Sequence, residues 1–85
     1  MIKIVFSEVD CPSSCDEAID LEHSTGVRAV NTSSKSSATL HLLDETGVDK
    51  TITLVPLESL ILKKTLKTLV WTSSEKVRIS GVSIY

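Results

Sequence analysis

The stretch Ala38-Thr39-Leu40-His41-Leu42-Leu43-Asp44-Glu45-Thr46-Gly47-Val48-Asp49-Lys50-Thr51-Ile52-Thr53-Leu54-Val55 decides the fold class. Its first arm puts Leu40 and Leu42 on one face and Thr39, His41 and Leu43 on the other; its second arm puts Ile52 and Leu54 on a shared face. Successive side chains of a strand point to opposite faces, so this alternation predicts two half-buried strands, 38–43 and 51–55. Between them, Asp44-Glu45-Thr46-Gly47 sets turn formers beside a glycine that can take positive φ, which predicts a hairpin. Pro56 has no N–H to give to a ladder, so it ends the second strand or marks an edge.

The same period recurs on either side. Residues 2–6 alternate, with Ile2, Ile4 and Phe6 on one face and Lys3 and Val5 on the other, and predict a first strand. Residues 8–17 are acidic, contain Cys11-Pro12-Ser13-Ser14-Cys15 and read as a loop. Ala18 to His23 alternates again, Ile19 and Leu21 inward, Asp20 and Glu22 outward. Ser24-Thr25-Gly26 is a turn, Val27 to Asn31 a short strand, and Thr32 to Ser37 a Ser-rich loop.

Beyond Pro56 two readings compete. Leu62, Leu66, Leu69 and Val70 have helical spacing, and proline suits the first position of a helix, so one short helix within 57–70 is an alternative. Against it, Leu60/Leu62 and Leu69/Trp71 also alternate, and Thr65, Thr68 and Thr72 are poor helix formers. The preferred reading is two strands, 59–63 and 68–72, around a Lys/Thr turn. Ser73-Ser74-Glu75 is a turn, and Lys76 to Tyr85 is the last strand or pair of strands, with Gly81 marking a bulge.

Composition agrees with strands. Val, Ile and Thr together supply 25 of the 85 residues against three Ala, and a branched Cβ packs well on a pleated surface. Phe6, Trp71 and Tyr85 are the only aromatics, so the core is expected to be aliphatic, with Trp71 as its anchor. Seven or eight short antiparallel strands with frequent turns predict an all-β chain. The expected architecture is a single domain over 1–85, a small β-sandwich or jelly-roll-like barrel.

The residues give little support to chemistry. Cys11 and Cys15 are separated by three residues, not the two of a redox motif, and they read as free thiols or a short-loop disulfide. Zinc needs about four ligands, and His23 and His41 supply no usual spacing, so no metal or cofactor is expected. Gly26, Gly47 and Gly81 are isolated and build no phosphate loop. His23 and His41 read as structural or surface residues, and the expectation is that the chain is not an enzyme. No apolar run approaches the roughly 20 residues that span a bilayer, and Met1 leads straight into a strand pattern without a signal sequence, so synthesis in a cytoplasm is expected.

Charge is unevenly spread. Residues 1–49 carry three basic and nine acidic side chains, a sum of −6; residues 50–85 carry six basic and two acidic, a sum of +4. The acidic group is Glu8, Asp10, Asp16, Glu17, Asp20 and Glu22, and the basic one Lys63, Lys64 and Lys67. Solvated loop and edge charges explain both; set on different faces, they would also attract copies head to tail or meet charged partners. The contact candidates are therefore Lys63, Lys64, Lys67, Trp71, Tyr85, Asp16 and Glu17.

The run Thr51-Ile52-Thr53-Leu54-Val55-Pro56-Leu57-Glu58, then Leu60-Ile61-Leu62-Lys63-Lys64, then Leu69 to Tyr85 resembles small virion-associated proteins of tailed bacteriophages. The shared feature is a rhythm of aliphatic strand, Pro-containing turn, Lys after an aliphatic pair and a small-residue strand ending in Tyr. The resemblance implies a virion protein without enzymatic activity, first a capsid decoration or cement protein, and next a head–tail connector or tail accessory protein. Its partners would be the major capsid protein or neck and tail proteins, in a homo-oligomer or symmetric array, with no nucleic acid, membrane or small-molecule substrate. Two other readings stand beside it: a small protein-binding regulatory module, and a nucleic-acid-binding β-barrel using Trp71 and the lysines.

Overall fold

Seven strands form two antiparallel sheets in the computed structural model, which describes residues 2–72 and 76–84. The strands are β1 (Ile2–Asp10), β2 (Gly26–Asn31), β3 (Ala38–Leu43), β4 (Asp49–Leu54), β5 (Ser59–Lys63), β6 (Leu69–Thr72) and β7 (Val77–Ile84). One sheet has the order β1-β7-β2-β5 and the other β4-β3-β6. The fold is all-β and sandwich-like; the sheets do not close into a barrel, so the jelly-roll-like alternative is set aside. The helix weighed for 57–70 is absent, because that segment crosses from one sheet to the other as β5 and β6. The turn expected at 73–75 and Tyr85 lie outside the described residues.

The hairpin forms as expected. Leu43 pairs with Asp49 and Ala38 with Leu54, around a five-residue loop in which Gly47 has φ of 89°. One oxygen of Asp44 holds the loop, accepting hydrogen bonds from the N–H groups of Thr46 (2.9 Å) and Val48 (3.1 Å) and from the Thr46 hydroxyl (2.6 Å). The Thr46 hydroxyl bond is the main reason that the Asp44 carboxyl lies below its usual range.

The core lies between the sheets and is aliphatic. Val27, Ala29, Val77 and Ile79 from one sheet meet Ala38, Leu40, Leu54 and Val70 from the other. Each large side chain fully buried in this way contributes about 1.5–3 kcal/mol. Asn31 is the polar exception. Its Nδ2 donates to the carbonyls of Ser36 (2.8 Å) and Leu54 (3.1 Å), and its Oδ1 accepts from the N–H of Ser33 (3.0 Å), so this buried amide ties β2 to the opposite sheet with its polar atoms paired.

Three local expectations are corrected. The segment 8–17 is not all loop: Glu8, Val9 and Asp10 continue β1, and Cys15–Glu17 makes a short 3-10 turn. Ile4 and Phe6 do not share a face. Ile4 pairs with Val82 and Phe6 with Gly81, so β1 carries an extra residue there, and a second irregularity follows before Val9 pairs with Ile79. Each bulge reverses the alternation, leaving Ile4 on the outer face while Phe6 packs against the core.

Ala18 to His23 is not a strand. Only Ile19 makes a bridge, to Val70, which with the Pro12 carbonyl bonded to the Thr72 N–H covers the outer edge of β6. Leu21, Glu22 and His23 then take φ of 57°, 56° and 59°, three successive residues in the left-handed region. L-residues disfavour this conformation by roughly 1–2 kcal/mol each. Burial of Leu21 offsets part of that, as do contacts made by Asp20, which accepts the Glu22 N–H at 3.1 Å and approaches His23 Nδ1 at 2.6 Å.

Candidate functional site

The bulged path of β1 builds a hollow on the outer face of the four-stranded sheet. Val82 and Ser80 of β7 form its floor, Ile4, Ser7 and Glu8 of β1 one wall, and Arg28 of β2 with Ile61 of β5 the other. Its volume is about 510 Å³. Val82 is only 2% exposed although it faces away from the core between the sheets, whereas Ile4 is 71% and Ile61 43% exposed. Ion pairs close one end: Glu8 accepts from Arg28 Nη1 at 3.3 Å and from Arg78 Nε at 3.0 Å, and Arg78 Nη1 reaches Asp10 at 2.6 Å. The Glu8 hydrogen bond is the main reason that the Arg78 pKa lies above its usual value. Glu8 and Asp10, read in sequence as part of a loose acidic cluster, are thus matched by two arginines.

A second, smaller cavity of about 190 Å³ opens at one end of the sandwich, where the β3–β4 hairpin meets the β5–β6 connection. Lys50, Lys63, Lys64, Thr65, Thr68 and Asp44 contribute its polar lining. Lys64 is 9% exposed, and loss of hydration pushes its ammonium pKa below the usual range.

Trp71 does not anchor the core. In β6 the inward positions are Val70 and Thr72, so Trp71 points to the outer face of the three-stranded sheet. There it pairs across strands with His41, the rings stacked at 3.7 Å between centroids and 13° between planes. His41 Nδ1 lies 2.8 Å from an Asp49 oxygen. The indole N–H of Trp71 is buried without a hydrogen-bond partner among the described residues.

The remaining sequence candidates are scattered. Lys63 and Lys64 share the smaller cavity, while Lys67 is exposed outside its lining. Asp16 and Glu17 are exposed on the 3-10 turn, and Tyr85 lies outside the described residues. Cys11 and Cys15 are both free thiols; Cys11 is buried, which pushes its pKa up to about 12, and Cys15 is exposed. No group of three or more His, Cys, Asp or Glu side chains able to hold a metal occurs among the described residues, and no helix there is long and apolar enough to cross a membrane.

Neither the hollow nor the Lys50 side of the cavity was singled out from the sequence. One signal was present: the apolar phase of β7 runs Val77, Ile79 and then shifts at Gly81-Val82, as in a strand apolar on both faces. No protein-family model, curated protein or solved structure matches the chain.

Proposed function

We propose that this chain is a non-enzymatic structural protein that docks on another protein through the hollow on its four-stranded sheet. The observation that carries the reading is Val82, an aliphatic side chain almost wholly covered on the outer face, at the base of a trough whose rims, Ile4 and Ile61, are exposed. An aliphatic side chain from an extended segment of a partner fits that trough, and the Glu8, Arg28, Arg78 and Asp10 network at its end supplies polar groups that fix register.

The partner proposed is another virion protein of a tailed phage, with this chain as a capsid decoration or cement protein. The rhythm of residues 51–85 and the compact two-sheet scaffold support that choice. A hollow of this size gives weak contacts singly; repetition over a symmetric shell makes them effective through avidity.

Mass spectrometry of purified particles with copy counting tests the reading. Hundreds of copies per particle are expected for decoration. A ring's worth, on the order of six or twelve, moves the protein to the neck or tail. Absence from particles overturns the virion role and leaves a regulatory module using the same face.

A further inference from the structure

The smaller cavity shares no lining residue with the hollow on the four-stranded sheet. Three lysines from two segments converge on it: Lys50 from β4, and the consecutive pair Lys63 and Lys64 at the end of β5. Among the described residues, no carboxylate stands within 4.0 Å of any of the three ammonium groups. Asp44 is the only acid in the lining, and one of its oxygens is committed to the hairpin loop by three hydrogen bonds. Three positive charges against one negative leave the lining at +2.

The donors are also unspent. Lys64 Nζ has three hydrogens and gives one, to the Thr65 carbonyl at 3.0 Å. The hydroxyls of Thr65 and Thr68 stand 2.6 Å apart and share one hydrogen bond, so the pair keeps one hydroxyl hydrogen for an outside acceptor. At about 190 Å³ the cavity is below the roughly 300–1,000 Å³ that holds a drug-sized ligand, so it suits one small group. Lysines act as point charges on phosphate, whereas a planar carboxylate is better matched by the fork of an arginine, and the lining holds none.

We propose that this cavity binds a phosphate dianion, free or as a monoester, held by Lys50, Lys63 and Lys64 with the Thr65/Thr68 hydroxyl pair. Asp20, outside the lining, acts on Lys64 at longer range without an ion pair, and a dianion balances the +2 lining at direct contact. Phosphate carries about −1.5 to −2 near neutral pH, and a carboxylate carries half of that.

The test is titration of the whole protein with inorganic phosphate at low ionic strength, followed by amide NMR. Saturable shifts confined to Leu42–Asp44, Lys50 and Lys63–Thr68, with a Kd of about 1 mM or tighter, are expected. Lys64→Met and, separately, Lys50→Ala on the exposed edge strand should each weaken binding at least tenfold. Lys67→Ala, which removes an exposed lysine of the same loop, should leave it within twofold. Glycerol 1-phosphate run in parallel distinguishes the sources: tighter binding than phosphate assigns the site to an organic monoester, and equal or weaker binding to the free ion. Shifts spread equally over Lys3, Lys35 and Lys76, an equal effect of Lys67→Ala, or equal binding of acetate would overturn the proposal.

Discussion

Leu21 lies directly against Gly81. A Cβ placed on Gly81 would stand 2.9 Å from both the Cβ and the carbonyl oxygen of Leu21, and 2.9 Å from the Cβ of Phe6. Real Cβ atoms do not approach backbone so closely, so the left-handed turn at 21–23 and the bulge of β1 both close over a position that only glycine fits. Gly81→Ala is expected to lower stability by about 2–3 kcal/mol, as overpacking against backbone does. Urea unfolding checks this; a loss of less than about 1 kcal/mol would show that the turn can move aside.

The turn itself stores strain at an accessible place. Glu22 is exposed at φ of 56°, and its N–H rather than its side chain is used there. Glu22→Gly removes roughly 1–2 kcal/mol of left-handed strain and adds back part of it as chain entropy of the unfolded state. A net gain of about 0.5–1 kcal/mol is expected in the same unfolding measurement. A loss would mean that the Glu22 side chain stabilises the turn.

On the opposite sheet, the His41–Trp71 stack separates ring contact from hydrogen bonding. Trp71→Phe keeps a ring on His41 and removes the unpartnered indole N–H, so it should cost less than about 1 kcal/mol. His41→Ala removes the stack and its contact with Asp49 and should cost about 1 kcal/mol. Trp71 is the chain's one tryptophan, so its fluorescence reports the unstacking directly. Unchanged emission in His41→Ala would sink the stacked geometry.

The two thiols should differ in reactivity. Alkylation of the native protein at pH 8, read by mass spectrometry, is expected to modify Cys15 and spare Cys11 until the protein unfolds. The folded-state pKa of Cys11 is raised, so the native state holds that proton longer than the unfolded chain. Its contribution is therefore present below pH about 9 and is lost as pH rises through about 12. Cys11→Ala should flatten the fall in stability over that window, and an identical pH profile would show that Cys11 is not its source.

The docking face has its own mutational test. Ile61→Lys on the outer face of β5 puts a charge into the rim of the hollow while leaving the inter-sheet core untouched. Stability should stay within about 0.5 kcal/mol, and retention on particles should fall. Undiminished retention would move the contact to another face.

The alternating runs were decisive where pairing is local. The hairpin at 38–54 needs only the period of its two arms and a glycine able to take φ of 89°, and both are legible residue by residue. Residues 59–63 and 69–72 were legible as strands because the alternation of Leu60/Leu62 and Leu69/Trp71, with Thr65, Thr68 and Thr72 in and between them, outweighed the helical spacing of the leucines.

The remaining features arise from long-range packing. A bulge exists only as a mismatch between two strands, so nothing in residues 2–10 could show that Ile4 turns outward over Val82 while Phe6 turns in. Alternation at 18–23 looked like a strand, but contact with Gly81 and β6 selected a left-handed turn. Trp71 looked like a core residue by size, and the phase of Val70 and Thr72 sent it outward. Two-faced strands and an aliphatic core follow from side-chain period and branching, which are written along the chain. Which faces meet, and therefore where the hollow and the lysine cavity lie, depends on residues far apart in the chain, and only packing brings those together.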